Sequence, residues 1–419
     1  MSERLDSPAW LDAPGTAAVL DALETAGGPG CSRFVGGCVR NALLGRPVDD
    51  LDIATTLKPD AVIAALKAAR IKAVPTGVEH GTVTAVSGGK PYEITTLRRD
   101  VETDGRRAVV AFTTDWAQDA ARRDFTLNAL YADRTGALFD PVARGLVDAR
   151  AGRIVFVGDA ETRIREDYLR ILRFFRFLAW YGRGEPDADA VAACAALKGG
   201  VASLAAERIS KELLKLMAAD DPRAAVALMA KAGVLEAALP GAGDLARFEA
   251  LVGIETELLF DCDPLLRLAA LLPDDADAMR ETALRLRLSN AQRDRLVAMG
   301  GGEPPIDPAM SPRAVRRAVY ALGARAFIDR ARLAWAADPS TAATPAWRGL
   351  IAQATSWTPP ALAVNGEDAA AAGVPRGPLI GRALREVERW WIEADFPDDR
   401  SAAVARLQAV ARELAGGGA

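Results

Sequence analysis

The 419-residue sequence is 50% hydrophobic and 26% charged, a globular composition in a chain too long for one ordinary core. Its 52 basic and 56 acidic residues leave a net charge of −4, a mild acidity that does not exclude nucleic acid, because phosphate contacts depend on local patches. A single histidine, His80, restricts any Ser-His-Asp triad to that residue and excludes HD-type phosphohydrolase and histidine-rich metal sites.

In chain order, Met1 to Trp10 carries charges where a signal peptide needs an apolar run, and no later stretch approaches the ~18 apolar residues of a membrane span. A soluble, cytoplasmic protein is expected. The cysteines Cys31, Cys38, Cys194 and Cys262 show no CxxC spacing and predict neither a zinc site nor a disulfide framework. Between Arg33 and Thr96, β-like runs (Phe34-Val35, Leu51 to Ala54, Ile71 to Val74, Thr82 to Val86, Tyr92 to Thr96) alternate with helical ones (Val39 to Leu44, Pro59 to Arg70). That alternation predicts a mixed sheet with helices packed on it. Residues Asp100 to Ala108, charged and glycine-containing, read as a mobile excursion. Past Gly158, leucine- and alanine-rich runs at helical spacing continue to the C-terminus, broken at Gly182 to Pro186, Pro240 to Gly243, Gly300 to Pro312, Asp338 to Pro345 and Thr358 to Pro360. The expected fold class is α+β: an N-terminal mixed-sheet head over 1–150, then an all-helical neck over 151–235 and a helical body and tail over 236–419.

The densest signal is the run Gly36-Gly37-Cys38-Val39-Arg40-Asn41 through Val48-Asp49-Asp50-Leu51-Asp52. A strand leads into a glycine pair, a short helix, a loop and a second strand carrying Asp50 and Asp52. Residues i and i+2 of a strand share a face roughly 7 Å apart. Two carboxylates so placed can bridge hard cations at the ~3.5–4 Å spacing of two-metal phosphoryl transfer. An isolated Asp-x-Asp is more often a solvated turn. Here the glycine pair offers backbone N–H groups to a triphosphate, and Arg40 adds a cation one helical turn on. Neither GxxxxGK[ST] nor GxGxxG occurs, so the usual P-loop and Rossmann cradles are absent. Glu93, in Tyr92-Glu93-Ile94-Thr95-Thr96, is either an exposed acid on an edge strand or the group that activates an attacking hydroxyl.

The segment Gly36 to Asp52 resembles the signature of the class II tRNA nucleotidyltransferase and bacterial poly(A) polymerase family, within the polymerase-β-like superfamily. The resemblance continues through Arg122-Arg123-Asp124-Phe125-Thr126-Leu127-Asn128-Ala129, through Glu166-Asp167-Tyr168-Leu169-Arg170-Ile171-Leu172-Arg173-Phe174-Phe175-Arg176-Phe177, and through Glu207-Arg208-Ile209-Ser210-Lys211-Glu212-Leu213. These motifs stand in the family's order across about half the chain. One position departs: where the family commonly has Asp after the motif arginine, this chain has Asn41.

The resemblance implies template-independent addition of C, C and A to the 3′ end of tRNA from CTP and ATP, with Mg²⁺ held by Asp50 and Asp52 and Glu93 activating the 3′ hydroxyl. The head is then catalytic, the neck selects the base, and the body and tail bind tRNA. Arg123 suits phosphate and Asp124 a ribose 2′-OH. Asp167, Arg170, Arg173 and Arg176 step by three and form a slowly winding polar stripe along one expected helix, opposite Ile171, Phe174 and Leu178. Salt bridging of Glu166 and Asp167 to Arg170 explains such a stripe without function. The family implies more: Asp167 accepts from the amino group of cytosine or adenine, Arg170 donates to the neighbouring ring nitrogen, and uracil and guanine are repelled. Unpaired polar groups of this kind discriminate on the order of 10⁴. Arg173 and Arg176 are then expected near the triphosphate or primer backbone, and His80 in a structural or primer-contact role.

A poly(A) polymerase, a partial CC- or A-adding enzyme and a catalytically silent RNA-binding protein are the alternatives. Asp50 and Asp52 argue against the last. Val364 to Asp368 with Gly373 to Gly381 resembles a segment near the C-terminus of many tRNA nucleotidyltransferases, and Asp104-Gly105-Arg106 resembles the flexible loop of enzymes that switch from C to A. Two arginine-rich stretches, Arg285 to Arg295 and Arg313 to Arg332, are either solvated faces or contacts to the sugar-phosphate backbone. No zinc and no membrane partner are expected.

Overall fold

Seven strands form the sheet of the computed structural model, which describes residues 3–104, 107–258 and 260–416. They are β1 (Ser32–Val35), β2 (Leu51–Thr55), β3 (Lys72–Gly77), β4 (Thr82–Ser87), β5 (Lys90–Thr96) and the short β8 (Tyr131–Ala132) and β9 (Leu138–Phe139), in the order β3-β4-β5-β2-β1-β8-β9. A separate two-stranded ribbon joins β6 (Arg98–Asp104) to β7 (Arg107–Phe112). The sheet is mixed: β2 runs parallel to β5 and antiparallel to β1.

The sequence reading located β1 to β5. It missed β8 and β9, whose two residues each are too short to display an alternating pattern. Their hairpin is instead built by the turn chemistry of Asp133, whose carboxylate accepts from the Thr135 and Ala137 N–H groups, followed by Gly136 at φ 78°. The excursion expected over Asp100 to Ala108 is largely strand, because its backbone pairs with itself across β6 and β7. The loop tip expected at Gly105-Arg106 lies outside the described residues.

Helices α1 (Pro14–Gly27), α2 (Gly37–Leu43) and α3 (Pro59–Ala68) surround the strands, followed by α4 (Trp116–Ala121) and α5 (Gly145–Ala151). Pro14 and Pro59 stand at first-turn positions, where their missing N–H groups cost nothing. Helices α6 (Ala160–Glu166), α7 (Leu169–Tyr181), α8 (Ala188–Leu197), α9 (Ala206–Met217), α10 (Arg223–Lys231) and α11 (Val234–Ala238) complete a compact unit over Met1–Gly243. Asp159 and Asp187 accept N–H groups of the first turns of α6 and α8. Phe125 packs against Phe156, Phe174 and Phe177 at ring-centroid distances of 4.9, 6.4 and 5.0 Å, which fixes α7 on the Arg123-Asp124 segment.

A second compact unit spans Asp244–Ala419, and among its described residues the regular elements are all helices. Its helices are α12 (Leu245–Glu257), α13 (Pro264–Ala270), α14 (Ala276–Arg285), α15 (Asn290–Met299), α16 (Pro312–Leu322), α17 (Ala324–Ala337), α18 (Thr344–Ser356), α19 (Gly366–Ala371), α20 (Pro378–Glu393) and α21 (Arg400–Gly416). Its interior holds charge. Glu255 accepts from Arg267 (2.5 Å) and Arg332 (2.6 Å), while Asp263 and Asp329 both meet Arg295 and Arg325. Arg330 donates to the Gly302 and Pro304 carbonyls, Arg316 pairs with Asp395, and Arg317 caps the Ile392 and Glu393 carbonyls. These six arginines (295, 316, 317, 325, 330 and 332) thus bond to carboxylates and carbonyls within the unit, Arg325 while remaining exposed.

Candidate active site

Asp50 ends the loop before β2, and Asp52 is the second residue of that strand. The parallel register sets Asp52 opposite Glu93 of β5, so acids from two distant segments adjoin, with Asp50 two residues before Asp52. Glu93 thus lies on an interior strand of the sheet, paired on both sides, and not on an edge strand. Burial pushes the Asp52 carboxyl up to about 6, with Glu93 and Asp50 adding repulsion and Arg123 opposing it. Hard carboxylate oxygens are the donor type that suits a divalent cation, although among the described residues no three acidic, histidine or cysteine side chains stand close enough together to hold one as placed.

The chain enters α2 through Gly36 at φ 70° and ψ −118°, a conformation that a side chain would strain. A Cβ there would lie 3.5 Å from Arg123 Nη1, and one at Gly37 would lie 3.8 Å from Arg40 Nη2. Two guanidiniums therefore border the glycine step. Arg123 is held by Asp119 (2.9 Å) and by the Tyr131 hydroxyl (3.2 Å). Arg40 is buried among Asn41, Asn128 and Tyr181.

Both Asp124 oxygens are already engaged. Oδ1 accepts from the Phe125 N–H and the Asn128 amide, and Oδ2 accepts Nε and Nη2 of Arg173. Burial would raise this carboxyl, but Arg173 and Asn128 hold it down at about 2. A ribose contact at Asp124 thus requires one of these bonds to be exchanged. Arg176 pairs with Glu212 of α9 at 2.6 Å.

The single helix expected across Glu166 to Arg176 is broken. Helix α6 ends at Glu166, Asp167 is extended at φ −156°, and α7 begins at Leu169. Asp167 consequently pairs not with Arg170 but with Arg208 of α9 (2.7 Å), while its other oxygen accepts the Leu169 N–H. Arg170 pairs with Glu166 (2.6 Å) and donates to the carbonyls of Arg163 and Arg122. Asp167 keeps an exposed edge and unused lone pairs. Arg170 uses three of its five N–H groups, so both retain hydrogen-bonding capacity for a base.

His80 is exposed, and its carbonyl accepts from Arg98. Asn128, Arg208 and Glu212 stood inside the runs Arg122 to Ala129 and Glu207 to Leu213 but were assigned no role. Asp119 and Tyr181 carry no local signal, because only tertiary contact reveals their partners.

Two family models match the chain: "Poly A polymerase head domain" over residues 32–155, and "Probable RNA and SrmB- binding site of polymerase A" over residues 185–245. The mitochondrial CCA tRNA nucleotidyltransferase 1 of Mus musculus is 32% identical over 382 residues, covering 87% of this chain and 83% of the relative. The CCA-adding enzyme of Latilactobacillus sakei is 30% identical over 388 residues, covering 92% and 95%. Among solved structures, the CCA-adding enzyme of Bacillus stearothermophilus in complex with CTP superposes with a TM-score of 0.76 at 28% identity, covering 97% of this chain and 100% of that one.

Proposed function

The chain belongs to the family of CCA-adding enzymes and bacterial poly(A) polymerases, and from that premise we propose that it adds C, C and A to the 3′ end of tRNA from CTP and ATP. The observation that carries the proposal is the parallel register of Asp52 and Glu93 beside Asp50 and the Gly36-Gly37 step. The primer 3′ oxygen attacks the α-phosphorus of the nucleotide. A new phosphodiester bond forms as the α–β P–O bond breaks, pyrophosphate leaves, and Glu93 takes the hydroxyl proton.

Asp50 and Asp52 hold the divalent cation, read here as Mg²⁺. When bound it supplies charge neutralisation at the reacting phosphate. Arg40 and Arg123 bind the triphosphate, and the Asp124–Arg173 pair meets the ribose, with Arg176 steadied behind it. Asp167 and Arg170 read the base edge that cytosine and adenine share. The head over 1–150, neck over 151–235, and body and tail over 236–419 are the proposed working parts. Among the described residues no helix is long and apolar enough to cross a membrane. Similarity to bacterial CCA-adding enzymes supports the cytoplasm as the compartment.

The test is incubation of the purified chain with tRNA lacking its terminal CCA and each nucleotide separately. CTP alone is expected to give two additions, and ATP one more only after them. Long adenylate tails from ATP alone would replace the proposal with a poly(A) polymerase, and arrest after two residues with a CC-adding relative.

A further inference from the structure

Arg40 differs from the other arginines of the site. Arg123, Arg170, Arg173 and Arg176 each lie against a carboxylate. Among the described residues Arg40, although buried, donates only to neutral acceptors: Nη1 to Asn128 Oδ1 (2.5 Å), Nε and Nη2 to Asn41 Oδ1 (3.2 and 2.9 Å), and Nη2 to the Tyr181 hydroxyl (2.8 Å). The Asp124 charge reaches it only from beyond the Asn128 amide, which donates to Asp124 Oδ1. Burial works against the cation, and Arg176 adds repulsion, with Tyr181 and Asp124 opposing both. A buried cation satisfied in hydrogen bonding but not in charge is prepared for an anion from outside the protein.

Two residues build this cage. Asn41 donates Nδ2 to the Pro47 carbonyl (2.8 Å), which turns its Oδ1 toward Arg40. The Tyr181 hydroxyl also donates to that Oδ1 (3.1 Å), and its ring lies 4.2 Å from the Arg40 guanidinium carbon. Tyr181 is the last residue of α7, so the helix that carries Arg170 also steadies the cation beside the glycine step. An aspartate at position 41 would cancel the Arg40 charge and turn a second oxygen toward the Pro47 carbonyl.

Resting on the nucleotidyl-transfer reading, we infer that Asn41 and Tyr181 are positioning residues that hold Arg40 as an uncancelled cation for the nucleotide triphosphate. The effect depends on phosphate number, which distinguishes it from a packing role. The test is titration of the full chain with CTP in Mg²⁺ without tRNA, alongside competition by CMP, for the unaltered protein, Tyr181→Phe and Asn41→Asp. Tyr181→Phe is expected to weaken CTP binding about fivefold and Asn41→Asp about tenfold, with CMP changed less than twofold. Equal losses for CTP and CMP, or unchanged CTP binding, would each overturn the inference. Failure of the unaltered chain to bind CTP would instead remove the reading on which it rests.

Discussion

At the scale of single residues, Asp50 is exposed and Asp52 half-buried at the strand start, so both can reach an ion while contributing little to the core. Asp50→Ala or Asp52→Ala should lower nucleotide addition by at least ~10³, with tRNA affinity and melting temperature near the unaltered values. Primer extension at saturating Mg²⁺ checks this, and appreciable activity in either variant would refute the assignment. Asp167→Ala removes the acceptor for the amino groups of cytosine and adenine and the repulsion felt by uracil and guanine. The ratio of kcat/KM for CTP to that for UTP should therefore collapse from both sides. Because Asp167 pairs with Arg208, the substitution leaves the Glu166–Arg170 bridge in place. A ratio that holds while both rates fall would assign Asp167 to the α7–α9 contact alone.

At the scale of elements, α7 is the part on which the site depends. Its apolar face meets Phe125 and Phe156, and its polar face sends Arg173 to Asp124 and Arg176 to Glu212. Asp119 anchors the neighbouring segment: burial would raise its carboxyl, but Arg123, Arg122 and the Tyr131 hydroxyl hold it down at about 2. Asp119 and Asp124 thus ionise more readily folded than unfolded. Their stabilisation is present above the unfolded value near 3.8 and is lost as pH falls through about 2. Each contributes on the order of 2 kcal/mol at neutral pH. The expected outcome is loss of stability from about pH 4 downward, shallower in Asp119→Asn. Denaturant melts across pH 2–6 measure it, and a parallel acid limb in the variant would exclude Asp119 as a source.

At the scale of the whole molecule, two units each have their own interior, and that of the second is partly ionic. Removing Glu255 leaves Arg267 and Arg332 buried without their shared anion. Glu255→Ala should cost about 3–5 kcal/mol, confined to the unit that contains it. Calorimetry with and without CTP reads this: the transition of the second unit falls, while the one that CTP stabilises stays in place. A downward shift of the CTP-stabilised transition would mean that the two units melt together.

The reach of the sequence follows from the range of the interactions. Strands β1 to β5, the proline- and glycine-marked helical breaks and the Asp50–Asp52 spacing were legible because alternation, proline and glycine positions and i,i+2 spacing are local properties, whereas the place of Glu93 opposite Asp52 is set by the sheet register. Which charge meets which was legible only for a local i,i+4 pair such as Glu166 and Arg170. Spacing alone suggested Asp167 beside Arg170, and the extended backbone at Asp167 turned it to Arg208, forty-one positions away. The arginines of the second unit look in sequence like a nucleic-acid surface, and only packing shows six of them tied to carboxylates and carbonyls. Arg40 illustrates both limits. Its place one turn after the glycine pair is visible in the chain, but its neutral cage joins residues 41, 128 and 181, and only the fold brings these together.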